Sequence, residues 1–417
     1  MVINSNITFG APSDLRKVHR SLILRSIRSA THRSRTQLAD ETGLSSMAVT
    51  RIIRELLEVG LIEEVGKLDR NGNPGRRQTE LRIKPSGSYV IGLVISAFGH
   101  EVALMDANGI PLLRRKLSFG PTNKADQAIE IVSSAINSLI EEEKVVKSRV
   151  LGIGIAIAAY VESRTGKVVQ APYLGWQKVD LGQQISEKTG FPVIVGNIAD
   201  AINSAEFSKK TVHTACDVFL AHVSVTIGAS YIHQGNLVLG SKFSAGQIGH
   251  LPDSETTLAC SCGANDCLNT HASGWSILAN LGLLNSPMFE PKNIEVYAGQ
   301  LESLLTEDSL QETAKSDQLF KAGWHLGRAL LSVVLVVDPS IVLLAGKMPQ
   351  SSAYLAGCKA AWADKSLHRL GKPPELITGS GEPLSAAGFL ALDHFLYTRH
   401  LDINSLNPPD HLAISKV

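Results

Sequence analysis

The sequence predicts an α/β protein built from a winged helix-turn-helix head and a layered body in which strands and helices alternate. Three observations carry this. Residues 15–83 hold three helical apolar patterns followed by two alternating, strand-like ones around a Gly- and Arg-containing loop. After Pro85 the periodicity changes to strand and helix in succession, the mark of a layered α/β body with ligands in a cleft between lobes. Finally, 417 residues are too many for one compact core, and with 44% hydrophobic and 19% charged residues the chain can bury enough apolar surface to order two or three domains.

In the head, Leu15, Val18, Leu22, Ile23 and Ile27 recur at helical spacing with arginines between them, which predicts a first amphipathic helix. Ser34 with Gln37 three residues on makes a capping box, so a short second helix begins there and turns Leu38 and Ala39 inward. Gly43 suits the turn that stops it. Ser45 caps a third helix with Val49, Ile52 or Ile53, Leu56 and Leu57 as its buried face. Two helices joined by a tight glycine turn form a helix-turn-helix unit. The start of the third helix then exposes Ser45, Ser46, Met47, Thr50 and Arg51, where a recognition helix meets base edges in the major groove of double-stranded DNA. "LIEEVG" and "TELRIK" read as paired strands around a wing with Gly75, Arg76 and Arg77 at its tip, suited to phosphate or minor-groove contact.

Charge agrees with that reading. The net formal charge is +1, yet residues 1–88 carry 15 Lys and Arg against 9 Asp and Glu, leaving 25 against 30 for the rest. A basic head on a mildly acidic body points to a polyanion at the N-terminus. A winged helix that binds protein through an ordinary charged surface is the alternative.

In the body, "SYVIGLVIS", "EVALMDA" and "LLRRKLSF" read as successive strands, residues 125–143 as a helix and "RVLGIGIAIA" as a buried strand. "VFLAHVSVTI" is a further strand, and "LGRALLSVVLVVDPSIVLLAG" a helix broken at Asp338-Pro339 and followed by a strand. No basic-then-apolar leader opens the chain and no run of about 18 to 20 uninterrupted apolar residues follows, so a soluble, cytoplasmic protein without membrane insertion is expected.

Of five cysteines, three lie close together at Cys260, Cys262 and Cys267, with His250 ten residues before the first. Three thiolates and an imidazole complete a tetrahedral set for a structural zinc, with no open position for a catalytic water. Buried free thiols are the alternative.

The winged head with "GRR" in its wing, then "GIGIA", "YLGW", "GNIADAINSAE", "SAGQIGHL" and "CSCGANDCLN" in that order, resembles the ROK family of repressors, open reading frames and kinases. The resemblance runs from about Leu15 to about Leu392, and the cysteine segment beside "GQIGH" is its most specific part. It implies an actin-like (ribonuclease H-like), two-lobed sugar-kinase fold, dimeric or tetrameric. The expected division is a head over 1–85, a first lobe over 86–210, and a second over 211–417 that carries the zinc loop and sends its C-terminal helices back to the first.

Against that family's kinases, several parts differ. Their Asp-x-Gly-Gly-Thr-like phosphate turn reads "GLVISAFGH", with Val94 at the aspartate and Ser96 and Ala97 at the glycines. Their catalytic aspartate follows an asparagine, and here that pair is Asn197-Ile198. Isoleucine cannot take a proton. Asp200, two residues on, is more simply a first-turn carboxylate favoured by a helix dipole. The second phosphate turn, Gly-Thr-Gly-x-Gly in the family, is Ser224-Val225-Thr226-Ile227-Gly228. At the implied sugar site Asn197 and His250 persist, the two glutamates become Gln247 and Asn269, and the Pro-Gly turn becomes Ala158-Ala159. The expectation is a DNA-binding regulator of sugar metabolism genes, a repressor by resemblance, answering to a small carbohydrate-like ligand and lacking kinase activity. Its operator would be an inverted repeat read by a symmetric oligomer. An ATP-dependent sugar kinase and a regulator controlled by a protein partner are the competing readings.

Overall fold

Three helices and a β-hairpin open the chain: α1 (Pro12–Ser29), α2 (Arg35–Thr42), α3 (Ser46–Glu58), β1 (Ile62–Leu68) and β2 (Gln78–Ile83). The structure, a computed structural model, describes residues 12–29, 33–68, 78–208, 217–306, 312–369, 371–379 and 381–406. Ser34 Oγ accepts the Gln37 N–H while Gln37 Oε1 accepts the Ser34 N–H, so α2 starts on a reciprocal cap. Gly43 ends it at φ 68°, a left-handed position that glycine adopts without a Cβ penalty. Ser45 then caps α3 by accepting the Ala48 N–H. Leu38, Val49, Ile52, Ile53 and Leu56 are buried together with Ile23, Leu24 and Ile27 of α1. Strands β1 and β2 pair antiparallel from Ile62 with Ile83 to Leu68 with Gln78. Gly75, Arg76 and Arg77 lie outside the described residues.

The body begins with β3 (Tyr89–Ser96), β4 (Gly99–Asp106), β5 (Pro111–Leu117), α4 (Ala125–Glu142) and β6 (Val150–Ile157). A small antiparallel sheet of β7 (Tyr160–Glu162), β8 (Lys167–Ala171) and β9 (Trp176–Val179) follows, then α5 (Leu181–Thr189), β10 (Val193–Asn197) and α6 (Ile198–Phe207). The first large sheet has the order β10-β6-β3-β4-β5, parallel across β10, β6 and β3. Its central strands are near-continuous apolar runs because both faces are covered.

The second lobe comprises β11 (Val218–Val223), β12 (Ile227–His233), β13 (Asn236–Leu237), α7 (Asn269–Ala272), α8 (Gly274–Asn280), α9 (Ile294–Thr306) and α10 (Glu312–Val337). It continues with β14 (Ile341–Ala345), α11 (Ser352–Ala363), β15 (Glu375–Thr378) and α12 (Pro383–Ala391), and its sheet has the order β13-β12-β11-β14-β15. Among the described residues α10 is long and apolar enough to cross a membrane by length and composition, over Thr313–Val337. It packs lengthwise on α11, with Leu319, Ala322, Leu326 and Leu330 buried.

Helix α12 lies on the first sheet, not the second. A Cβ at Gly154 of β6 would stand 2.1 Å from the Ala387 carbonyl oxygen, and one at Gly92 of β3 2.9 Å from the Gly388 nitrogen. The strand glycines are therefore what lets the helix backbone settle onto the sheet. The residues after α12 hold the head. Leu392, Leu396, Leu401 and Leu406 share one apolar cluster with Ile23 and Leu24, and Arg25 pairs with Asp393 at 2.6 Å, while Tyr397 Oη anchors the same segment to the first lobe by donating to Ala107 O. From the first lobe, Arg149 donates to the carbonyls of Val59 (2.9 Å) and Gly87 (2.8 Å).

Candidate functional site

Three sites emerge, the first on α3. Ser45, Ser46, Met47, Thr50 and Arg51 are all exposed, Met47 to 83%, while the opposite face of the helix is in the head core. Thr50 Oγ1 donates to the Ser46 carbonyl, so the hydroxyl proton is engaged within the helix. An uncovered methionine beside a hydroxyl and a guanidinium is the chemistry of a base-edge reader.

The second is the cysteine loop. His250, at the end of a single 3-10 turn, and Cys260, Cys262 and Cys267 bring one ligand atom each within 4.8 Å of all the others. His250 Nδ1 lies 3.5 Å from Cys260 Sγ and 3.8 Å from Cys267 Sγ, and the Cys262 and Cys267 sulfurs are 3.4 Å apart. Zinc with ordinary bond lengths separates tetrahedral sulfurs by about 3.8 Å and a sulfur from a nitrogen by about 3.5 Å. The four donors therefore fit the ion. Burial and then the hydrogen bond to Cys262 push the Cys267 thiol up. Three crowded thiols of this kind need a cation before they ionise together. With Nδ1 turned to the sulfurs, His250 keeps Nε2 for another partner, and a metal on Nδ1 would leave the proton there.

The third is a chamber of about 220 Å³ at the meeting of both sheets, and Asn197, Gln247, His250 and Asn269 all line it. Asn197 caps α6: its Oδ1 accepts the Ala199 N–H and its Nδ2 donates to the Ala159 carbonyl, each at 2.8 Å. Asn269 Oδ1 accepts the Ile227 N–H at 2.9 Å, tying α7 to the start of β12. Gln247 Oε1 accepts from the Tyr160 hydroxyl at 3.3 Å. Tyr160, Tyr173, Trp275 and Phe289 complete the wall. Sequence reasoning did not single out these aromatics. Tyr173 lies within the quoted "YLGW" segment, and the others carry no local signal, because the fold gathers them from distant segments.

A second chamber, about 660 Å³, shares Ser96, Phe98, Ile198, His222 and Ser224 with the first. At the β3–β4 turn Ser96 Oγ accepts the Phe98 N–H and donates to the Gly99 carbonyl, so that amide is already taken. Ser224 Oγ likewise accepts the Lys347 N–H. Ile198 and Val94 are 5% and 7% exposed and present only hydrocarbon. His222 stands between the chambers, where burial pulls its imidazole down to about 4. Asp200, in the first turn of α6, is not part of either wall. Burial pushes its carboxyl up to about 6, against an opposing hydrogen bond from Ser230.

Comparison with known proteins places these sites in context. The ROK family profile matches residues 90–392, and a winged helix-turn-helix DNA-binding profile matches residues 19–63. The xylose repressor of Bacillus subtilis (strain 168) is 23% identical over 386 residues, 92% of this chain and 97% of the repressor. A crystal structure of a ROK family transcriptional regulator, a homologue of the E. coli MLC protein, superposes with a TM-score of 0.73 at 21% identity, covering 94% of this chain and 99% of that one. A ROK family glucokinase from Streptomyces griseus, in complex with glucose and AMPPNP, superposes with a TM-score of 0.60 at 21% identity, over 73% of this chain and 100% of its own. The winged head on a two-lobed, actin-like (ribonuclease H-like) sugar-kinase fold is thus the fold of this chain.

Proposed function

The chain belongs to the ROK family, and from that premise we propose that it is a DNA-binding transcriptional regulator, a repressor of carbohydrate metabolism genes, that answers to a small carbohydrate-like effector and transfers no phosphate. One observation carries the reading. A recognition-type helix is mounted on a kinase-like body in which Ile198 walls the cleft and one amide of each phosphate turn, Phe98 N–H and Ile227 N–H, is engaged internally. Phosphoryl transfer depends on positioned charge around the nucleotide and on a base for the acceptor hydroxyl. The first chamber has no charged side chain; the second is lined by Lys116, Lys347, Glu101, Glu302 and Glu382, but Ile198 stands where the family's kinases place their base.

DNA contact falls to Ser45, Ser46, Met47, Thr50 and Arg51 on α3, and, from the sequence, to Gly75, Arg76 and Arg77 of the wing. Asn197, Gln247, His250 and Asn269 receive the effector. Zinc, held by His250, Cys260, Cys262 and Cys267, would supply a fixed cross-link that orients His250 toward the chamber. The protein acts in the cytoplasm as a symmetric dimer or tetramer on an inverted-repeat operator. Working boundaries are 1–85 for the head and 86–210 and 211–417 for the lobes.

The coupling follows from packing. Helix α6, whose first residues wall the effector chamber, touches α12, and the residues after α12 grip α1 of the head. The likeness to a glucokinase favours a sugar kinase as the second reading. The two separate by operator-binding titrations across a sugar panel run beside a coupled ATP-consumption assay. Sugar-dependent release of DNA without ATP turnover supports the regulator; sugar-dependent turnover overturns it.

A further inference from the structure

We infer that the effector is a carbohydrate bearing a carboxylate, of the aldonate or uronate class, received in the first chamber by hydrogen-bond donors. The inference deepens the effector reading and rests on it.

The wall offers a ligand no carboxylate acceptor: its side-chain acceptors are hydroxyls, imidazole nitrogens and amide oxygens. No Asp, Glu, Lys or Arg is among the described residues that line the chamber. Its three carboxamides are oriented alike: the carbonyl oxygens of Asn197, Gln247 and Asn269 are engaged by the Ala199 N–H, the Tyr160 hydroxyl and the Ile227 N–H. For Asn197 and Asn269 the partner is a backbone donor, which fixes the orientation of the amide. What remains for a ligand is N–H and one lone pair on each oxygen.

Two more donors face the same requirement. Tyr173 and Trp275, 3% and 1% exposed, line the chamber, and neither Tyr173 Oη nor Trp275 Nε1 has a hydrogen-bond partner among the described residues. A buried donor left unpaired costs about 1 to 3 kcal/mol, so the wall favours a ligand that brings acceptors.

A neutral sugar's hydroxyls are held most strongly where carboxylates accept from them, and this wall has none; each carboxamide oxygen already takes one of the two hydrogen bonds it can accept. A carboxylate brings two oxygens and no proton, and its charge-assisted hydrogen bonds are roughly twice as strong as neutral ones. A phosphate also accepts, but its near-dianion would bring close to twice a carboxylate's charge into a wall without lysine or arginine. Glu295 follows the lining residue Ile294 on α9; its carboxylate lies 3.8 Å from His100 Nε2, outside the wall, and burial and then its charge raise the Tyr173 hydroxyl pKa.

The test is calorimetric titration of the full-length protein with matched sets: glucose, gluconate, glucuronate and glucose 6-phosphate, the corresponding galactose set, and N-acetylglucosamine. The responding set should bind its acid at least about tenfold tighter than the neutral and phosphorylated members. Tyr173→Phe, which removes only the orphaned hydroxyl, should weaken the acid by about five- to tenfold. Gln247→Glu, on an exposed side chain, should weaken the acid by about tenfold or more and turn preference toward the neutral sugar. Equal or tighter binding of a neutral or phosphorylated sugar overturns the inference and leaves the regulator reading standing. Silence to every sugar overturns the effector reading itself, and the inference with it.

Discussion

Arg28 of α1 stacks its guanidinium over Phe389 of α12, 4.1 Å from the ring centroid, and also lies 4.8 Å from that of Tyr397. Burial lowers the guanidinium pKa, and Tyr397 and Asp393 act against that shift. A desolvated cation–π contact is worth about 2 kcal/mol or more, so this pair is a substantial link from body to head. Arg28→Ala should therefore leave operator affinity near wild type without effector and blunt the effector's power to release DNA. Operator titrations with and without effector check this, and an undiminished response would remove Arg28 from the coupling route.

On α3, Arg51→Ala should weaken operator binding by about 1 to 3 kcal/mol and relax preference at one base position, the behaviour of a base contact. Binding measured on single-base operator variants at fixed salt distinguishes this from a phosphate contact, which lowers affinity evenly and reduces the salt slope. Unchanged affinity and preference would mean that α3 does not read bases.

For the cysteine loop, the purified wild type should carry one zinc per chain and Cys262→Ser should lose it. Cys262 is exposed, so the substitution leaves the core intact and isolates the metal. Elemental analysis gives the stoichiometry, and a wild type free of zinc ends the assignment. Because His250 belongs to both the cluster and the chamber wall, effector affinity should fall with the metal.

The head was legible because each of its signals is local. Ser34 with Gln37, Gly43 and Ser45 are caps and turns that act within one helical turn, and all four positions behave as their chemistry dictates. The cysteine cluster was legible because three of its four donors fall within eight residues of chain. The chamber's aromatic wall was not, since Tyr160, Tyr173, Trp275 and Phe289 meet only when the small sheet and the second lobe close on one another. The seat of the head was equally hidden: nothing near Arg28 in sequence announces Phe389, which arrives only because Gly92 and Gly154 admit α12 onto the first sheet. Sequence also reads Asp200 as a dipole-favoured carboxylate, whereas burial raises its pKa.

His100 should give the protein an acid-sensitive core. It is 3% exposed, stacks on Phe119 at 4.0 Å and has the Glu295 carboxylate 3.8 Å from Nε2; burial pulls its imidazole down to about 4 against an opposing hydrogen bond to the Phe119 backbone. The folded pKa is depressed below the unfolded value near 6.5, so stability is fully present above about 6.5 and is lost as pH falls through that window toward 4. The loss reaches at most about 3 kcal/mol. His100→Phe should flatten the acid limb of stability, leaving the slope due to His222, whose imidazole is lowered in the same way. Urea unfolding at pH 7, 5.5 and 4.5 measures it, and an identical limb in the variant would show that His100 is not the titrating group.

Ile198→Asp should restore no phosphorylation. A base contributes roughly 10²- to 10⁴-fold in typical cases, and it is only one requirement of the reaction. The rest of the machinery would still be wrong: Val94 stays hydrocarbon, Ser96 still holds the Phe98 N–H, and Ser224 still holds that of Lys347. The new carboxylate would act on binding instead. At the first position of α6 it sits at the positive end of the helix and beside Asn197, offering a neutral sugar the carboxylate acceptor that the wall lacks. Neutral sugars should therefore bind more tightly to the variant and acidic ones more weakly, with turnover undetectable by coupled ATP consumption. Turnover by the unmodified protein above trace rates would overturn the regulator-only reading and make Asp200, with its carboxyl near 6, the first residue to replace.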